Sequence, residues 1–135
     1  MATLQKITTF LMFEGKAEAA MRFYTSLFAD SGIQTMTRYG PGEAGREGTV
    51  QHATFVLAGQ QFMCIDSPAS HAFTFTPSMS LYVQCDSDDE IDRLYQALGE
   101  GGQVLMPLSA YDFSPKFGWV NDTFGVSWQL TLAKS

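Results

Sequence analysis

The stretch ITTFLMFEGKAEAAMRFYTSLF, residues 7–28, changes its hydrophobic period half way along, and that change decides the fold. Up to Phe13 it is a short apolar run rich in Thr and Phe, stopped by Glu14-Gly15, which predicts a strand over residues 6–13. Beyond Gly15, Ala17, Ala20, Met21, Tyr24, Leu27 and Phe28 recur at three- and four-residue spacing. They lay one apolar stripe along a helix from about residue 16 to 28, closed by Ser31-Gly32. Residues 33–39, 49–57 and 61–66 then read as strands, separated by the loop GPGEAGREG (40–48) and a tight turn at Ala58-Gly59. The order is β-α-β-β-β.

The same order returns after a linker through Ser67, Pro68 and SHAFTFTPS (70–78). A strand over 79–85 runs into a helix whose start is marked by Asp86-Ser87 as the cap and by Asp88, Asp89 and Glu90 at the positive end of the dipole. Ile91, Leu94, Tyr95 and Leu98 form its apolar stripe, and glycines within 99–102 end it. Strands follow over 103–106, 117–121 and 126–132, with a loop carrying Pro107 and Pro115 and a turn at 122–125. Tyr24 falls on Tyr95, an offset of roughly seventy residues, so the chain reads as an internal duplication. The expectation is an α+β fold of two βαβββ modules, about 5–67 and about 78–133, in a single domain of residues 1–135. A sheet covered by one helix has a second face to occupy, and pairing two modules wraps those faces around a cavity. Alternation over 49–57 places Val50, His52, Thr54 and Val56 on that second face and Gln51, Ala53, Phe55 and Leu57 on the helix side.

Composition narrows the function classes. The 135 residues are 45% hydrophobic and 16% charged, enough apolar material for one core, with a net charge of −6 that repels phosphate backbones; nucleic acid is excluded as a partner. No apolar run approaches the roughly 20 residues a bilayer needs, and MATLQKITTF lacks a signal peptide's apolar core, so no membrane partner and a cytoplasmic location are expected. Cys64 and Cys85 lie in apolar strands without CxxC spacing and read as buried, reduced thiols.

Two βαβββ modules, the first opened by ITTFLMFEGKAEAAMRFY and the second closed by FGVSWQL, resemble the vicinal oxygen chelate superfamily of glyoxalase, bleomycin-resistance and extradiol-dioxygenase proteins. FTPSMSLYVQCDSDDEIDRLY (75–95), EGGQVLMPL (100–108) and SPKFGWVNDTFGVSWQL (114–130) resemble its PhnB-like branch. The resemblance implies a homodimer. It also implies metal-ligand positions on the first and last strands of each module, which map onto Thr9, Met63, Met79 and Gln129, with Cys64 and Ser80 as one-residue alternatives. Only Gln129 is a usual ligand type there, so no metal and no cofactor are expected. The branch also carries a demethylubiquinone methyltransferase label. A Rossmann-type methyltransferase needs a Gly-rich strand-to-helix turn, whereas GPGEAG leads to a strand and GEGG follows a helix.

Among polar residues, His52 is the candidate general base or ligand contact, because imidazole exchanges a proton near neutral pH. Gln129 carries a donor and an acceptor that orient a ligand without a metal. The segment from Tyr111 to Trp119, a loop that enters a strand, reads as a lid that contacts a ligand, beginning at Tyr111, with Phe113 and Trp119 as apolar walls and Lys116 meeting an anionic group. Against these stand the plainer readings: a satisfied strand histidine, a cavity-lining amide, and aromatics that plug a barrel mouth or dimer seam. His71 reads as a surface or dimer residue, Trp128 as core, and the acidic run at 86–90 as helix capping rather than a calcium loop. The expected function is metal-independent binding of a small molecule in the cavity. The alternatives are a metal-dependent lyase, isomerase or oxygenase, and a dimeric interaction module with a filled cavity.

Overall fold

The computed structural model describes residues 5–133. Strand β1 (Thr9–Phe13), helix α1 (Ala17–Leu27) and strands β2 (Gly32–Arg38), β3 (Val50–Leu57) and β4 (Gln60–Asp66) come first. Strand β5 (Ser80–Cys85), helix α2 (Asp88–Gly99) and strands β6 (Gln103–Tyr111), β7 (Ser114–Asn121) and β8 (Ser127–Leu132) follow. The chain divides into two compact units between His71 and Ala72. Each unit carries one mixed four-stranded sheet, in the order β1-β4-β3-β2 and β5-β8-β7-β6, so the duplication read from the sequence extends to identical strand order. The first and last strands of each unit are parallel and the other pairs antiparallel.

Each helix buries its predicted stripe: Ala17, Ala20, Met21 and Tyr24 in α1, and Ile91, Leu94 and Leu98 in α2. The facing sides of the strands are buried too. In the first unit these are Leu11, Phe13, Ala53, Phe55, Leu57, Phe62 and Cys64, and in the second Val120, Trp128 and Leu130. Full burial of the larger of these side chains is worth about 1.5–3 kcal/mol each, which fixes the register of the strands that carry them by deciding which face is apolar.

The two helices are capped differently. In α2 the Ser87 hydroxyl accepts from the Glu90 N–H (3.1 Å) while the Glu90 carboxylate accepts from the Asp86 N–H (2.7 Å), as its acidic start predicts. Helix α1 has no side-chain cap at Lys16. Its first N–H groups are served across the fold by the buried carboxylate of Asp66, at the end of β4. One oxygen accepts from Gly15 (2.7 Å) and Ala17 (2.9 Å), the other from Val50 (2.9 Å). Gly15 sits at φ +102°, a turn that a β-carbon would strain.

Glu18, in the first turn of α1, accepts from Arg38 of β2 (2.6 Å) and from Arg22 (2.7 Å). The Arg38 hydrogen bond, then that of Arg22, holds its carboxyl down at about 2 from an ordinary 4.5. A depressed folded-state value means stabilisation that is complete above pH 4.5 and lost as the pH falls towards 2. Because the pair is solvent-exposed, the effect is under about 1 kcal/mol. Glu18→Gln is expected to flatten the acid limb of the stability profile in that window, read by urea unfolding at stepped pH.

Candidate functional site

Opposite its helix, each sheet has a second face. In the first unit it is formed by Phe10 and Met12 of β1, Met63 and Ile65 of β4, His52 and Thr54 of β3, and Thr35 and Thr37 of β2. The register aligns Phe10 with Met63, Met63 with Thr54 and Thr54 with Thr35. His52 lies on this face as the alternation predicts, half-buried, with its ring edge-to-face against Phe10 at 5.8 Å. Thr35 and Thr54 join hydroxyls at 2.7 Å. The surface is therefore apolar, with one imidazole and a short hydroxyl edge.

The second unit's corresponding face is polar. Ser127 of β8 is buried and central: its hydroxyl accepts from the Trp119 indole N–H (2.8 Å) and donates to Ser80 (3.3 Å). Gln129 Nε2 also donates to the Ser80 hydroxyl (3.1 Å). The register puts Gln129 between Tyr82 of β5 and Trp119 of β7, and Ser127 beside Asn121. Asn121 Oδ1 is buried with no hydrogen-bond partner, the only such side-chain atom among the described residues. Farther along, Ser114 and Thr131 share a 2.7 Å hydrogen bond. Asn121 and Ser127 were not singled out from the sequence, and Ser80 entered only as a one-residue alternative to Met79 among the ligand positions that the resemblance implies. Period-two alternation from Gln129 reaches Ser127, but only the strand pairing brings Ser80 and Asn121 to it.

The structure separates the remaining candidates. Tyr111, Phe113, Lys116 and Trp119 do not belong to one lid loop: β6 runs to Tyr111, only Asp112 and Phe113 form the turn, and Lys116 and Trp119 are in β7. Tyr111 stacks on Phe113 (5.7 Å), and both rings pack against the buried Phe117. Trp119 shares the polar face with Gln129. Lys116 points to the opposite side, where Asp88 (3.0 Å) and Asp92 (2.7 Å) of α2 clasp its ammonium and raise its pKa, Asp92 first. It is a tie between helix and strand rather than an anion contact.

Thr9 pairs with Phe62 and so faces α1, not the side that carries Met63; Phe10 holds the position beside Met63. Met79 precedes β5 and is 70% exposed, while Tyr82 pairs with Gln129. Trp128 is core, with its indole N–H on the Asp122 carboxylate (2.8 Å). His71 is exposed, its Nε2 2.7 Å from the Ser67 hydroxyl, beside a cleft of about 220 Å³ lined by Glu14, Arg46, Thr49 and Ser67.

Cys64 and Cys85 are buried free thiols on the helix sides, pushed up to about 12, chiefly by burial and secondarily by Asp66 and Glu90 respectively. Thiols held protonated are poor nucleophiles. At pH 8 the folded protein is expected to release less than about a tenth of its thiol signal with Ellman's reagent over the time the unfolded chain releases all of it.

Among the described residues no helix is long and apolar enough to cross a membrane. Residues 5–131 match the family model described as 3-demethylubiquinone-9 3-methyltransferase. A PhnB protein of Bacillus cereus, described under the same methyltransferase name, is 64% identical over 96% of this chain and 100% of its own, with a TM-score of 0.94. Protein PA1353 of Pseudomonas aeruginosa is 29% identical over 98% of this chain and 100% of its own, with a TM-score of 0.84. The fosfomycin resistance protein FosX of Mesorhizobium loti shares the fold at 11% identity and a TM-score of 0.59, over 98% of this chain and 95% of its own. No curated protein matches the chain.

Proposed function

Given that this chain belongs to the PhnB-like 3-demethylubiquinone-9 3-methyltransferase family, with the two-module α+β fold of glyoxalase and bleomycin-resistance proteins, we propose that it binds a small molecule on its open sheet faces without a metal ion. The observation that carries the proposal is the hydrogen-bonded group of Trp119, Ser127, Ser80 and Gln129, an aromatic ring beside prearranged hydroxyl and amide groups on a sheet face that no helix of its own unit covers. His52 with Phe10, in the first unit, offers an imidazole on an apolar surface and is the second contact proposed.

The donor set does not fit a divalent cation. The positions that the resemblance assigns to ligands carry Thr9, Met63, Met79 and Gln129, the residues paired with Met63 and Gln129 are Phe10 and Tyr82, and hydroxyl, thioether and aromatic side chains bind Mg²⁺, Mn²⁺ or Zn²⁺ poorly. Among the described residues no three His, Cys, Asp or Glu side chains cluster as ligands. Metal-dependent lyase, isomerase or oxygenase chemistry therefore has no support in these side chains. Nor does the methyltransferase name find support in the fold: each mixed sheet has a single parallel pair and one helix, unlike the parallel sheet with helices on both faces that holds a nucleotide-like methyl donor. Pairing with a second copy belongs to the same reading, supported by Ile7, Met79 and Phe113, each more than half exposed.

The test is a fragment screen by ligand-observed NMR, repeated with Gln129→Ala and His52→Ala. Loss of about tenfold in affinity in Gln129→Ala, at unchanged melting temperature, is the expected result. Hits that bind both variants like the parent protein would remove these faces from consideration.

A further inference from the structure

We propose a second ligand site, apart from the open sheet faces: the cleft beside the ends of β1 and β4 binds a small zwitterion, a molecule with both a carboxylate and an ammonium group, as in a free amino acid. The cleft has a volume of about 220 Å³ and lies within the first unit, lined by Glu14, Arg46, Thr49 and Ser67. That is the space of about seven water molecules, which suits a small metabolite rather than a drug-sized ligand. The first reason is charge. Glu14 and Arg46 put opposite charges on one cleft, yet no ion pair joins them, and among the described residues neither has an ionic partner elsewhere. Other charges of the chain close on one another, Glu18 with Arg22 and Arg38, and Lys116 with Asp88 and Asp92. An ammonium at Glu14 and a carboxylate at Arg46 complete both, the guanidinium taking the carboxylate through two parallel N–H bonds. A ligand with one charge alone satisfies one group and is repelled by the other, so the pair selects for both charges together.

The second reason is that both groups are set in place before a ligand arrives. Glu14 Oε2 accepts from the His71 N–H (3.3 Å), which leaves Oε1 without a donor among the described residues. The Ser67 N–H donates to the Phe13 carbonyl (2.7 Å), tying that wall of the cleft to the strand end that carries Glu14. On the loop side, the Arg46 carbonyl accepts from the Thr49 N–H (3.1 Å) and from the Thr49 hydroxyl (2.7 Å). The Arg46 guanidinium lies over Gly15, its Nη2 3.5 Å from where a β-carbon would stand. Groups ordered in advance lower the entropy that binding must remove. Because both side chains are exposed, the expected Kd is modest, on the order of 1 mM.

The probes are L-alanine, propionate and ethylamine, short carbon chains that carry both charges, the carboxylate alone and the ammonium alone. Binding is followed by the Gly15 backbone signal in ¹⁵N–¹H spectra of the parent protein, Glu14→Gln and Arg46→Gln, with the Arg46 Nε–H as a second reporter where arginine is kept. Both substitutions fall on exposed side chains and should leave the melting temperature unchanged. The expected result is that L-alanine shifts both signals and binds at least about tenfold more tightly than propionate or ethylamine. Glu14→Gln should bring L-alanine down to the level of propionate, and Arg46→Gln down to the level of ethylamine. Propionate or ethylamine binding the parent protein as tightly as L-alanine overturns the proposal, because one of the two charges then contributes nothing. L-Alanine binding that survives both substitutions also overturns it, by placing the site elsewhere. Shifts by none of the three in the millimolar range overturn it outright.

Discussion

Asp66→Ala is expected to lower the free energy of unfolding by about 3–5 kcal/mol, measured by urea titration, the largest loss among single polar substitutions in the first unit. Asp66 is 3% exposed and its two oxygens accept three backbone N–H groups, from Gly15, Ala17 and Val50. One carboxylate thereby joins the turn after β1, the start of α1 and the start of β3, and it replaces the cap that Lys16 does not supply. Charge-assisted hydrogen bonds of this kind contribute about 1.5–3 kcal/mol each, and alanine leaves the donors without acceptors. Asp66→Asn keeps one acceptor oxygen and should lose roughly half as much. A loss below about 1 kcal/mol for the alanine variant would mean that water replaces the carboxylate at little cost.

Asp122→Ala is expected to cost about 2–4 kcal/mol by the same measurement and to shift tryptophan emission to the red. Asp122 is the second unit's counterpart in role: one oxygen accepts from Phe124 (2.8 Å) and Val126 (3.1 Å), the other from the Trp128 indole (2.8 Å). The residue shapes the turn between β7 and β8 and fixes Trp128, the largest fully buried side chain. Trp128 lies between Ser127 and Gln129, so a loosened turn should also weaken ligand binding at the polar face, a loss that Asp66→Ala does not predict. Unchanged emission would show that core packing alone holds the Trp128 ring.

Most of the fold was legible because burial imposes a period. The α1 stripe, the alternation through His52 and the repeated strand order follow from which residues must leave water. The site was legible only in part. His52 was placed on its side of the sheet by alternation, and Gln129 was reached through the ligand position that the resemblance implies. Trp119, already within the strand read over 117–121, was selected as a lid wall, and only the pairing of β7 with β8 puts it beside Gln129. Lys116 was misread because Pro107 and Pro115 were taken as loop punctuation. In the structure Pro107 is tolerated in the edge strand β6, and Pro115 sits beside the register shift between Ser109 and Tyr111. Once β7 extends through Lys116, its parity sends the side chain to α2. Thr9 and Met79 missed for a related reason: a one-residue error in register reverses the face, and the flanking sequence of these two strands is apolar on both sides. The carboxylate of Asp66 was invisible because its partners are backbone N–H groups, which carry no sequence signature, and that of Asp122 because two of its partners are backbone N–H groups and the third, the Trp128 indole, meets it only once the β7–β8 turn is formed.

Binding of a small molecule at the two sheet faces is proposed to need no metal ion. Its most direct test is calorimetric titration of a screened ring ligand into protein prepared with and without EDTA, with elemental analysis of the same samples and Gln129→Ala as the control. Equal affinity in both preparations, no stoichiometric metal, and binding weakened about tenfold in Gln129→Ala are expected. Binding that appears only when Mg²⁺, Mn²⁺, Fe²⁺, Ni²⁺ or Zn²⁺ is restored, with metal bound one to one, would contradict it.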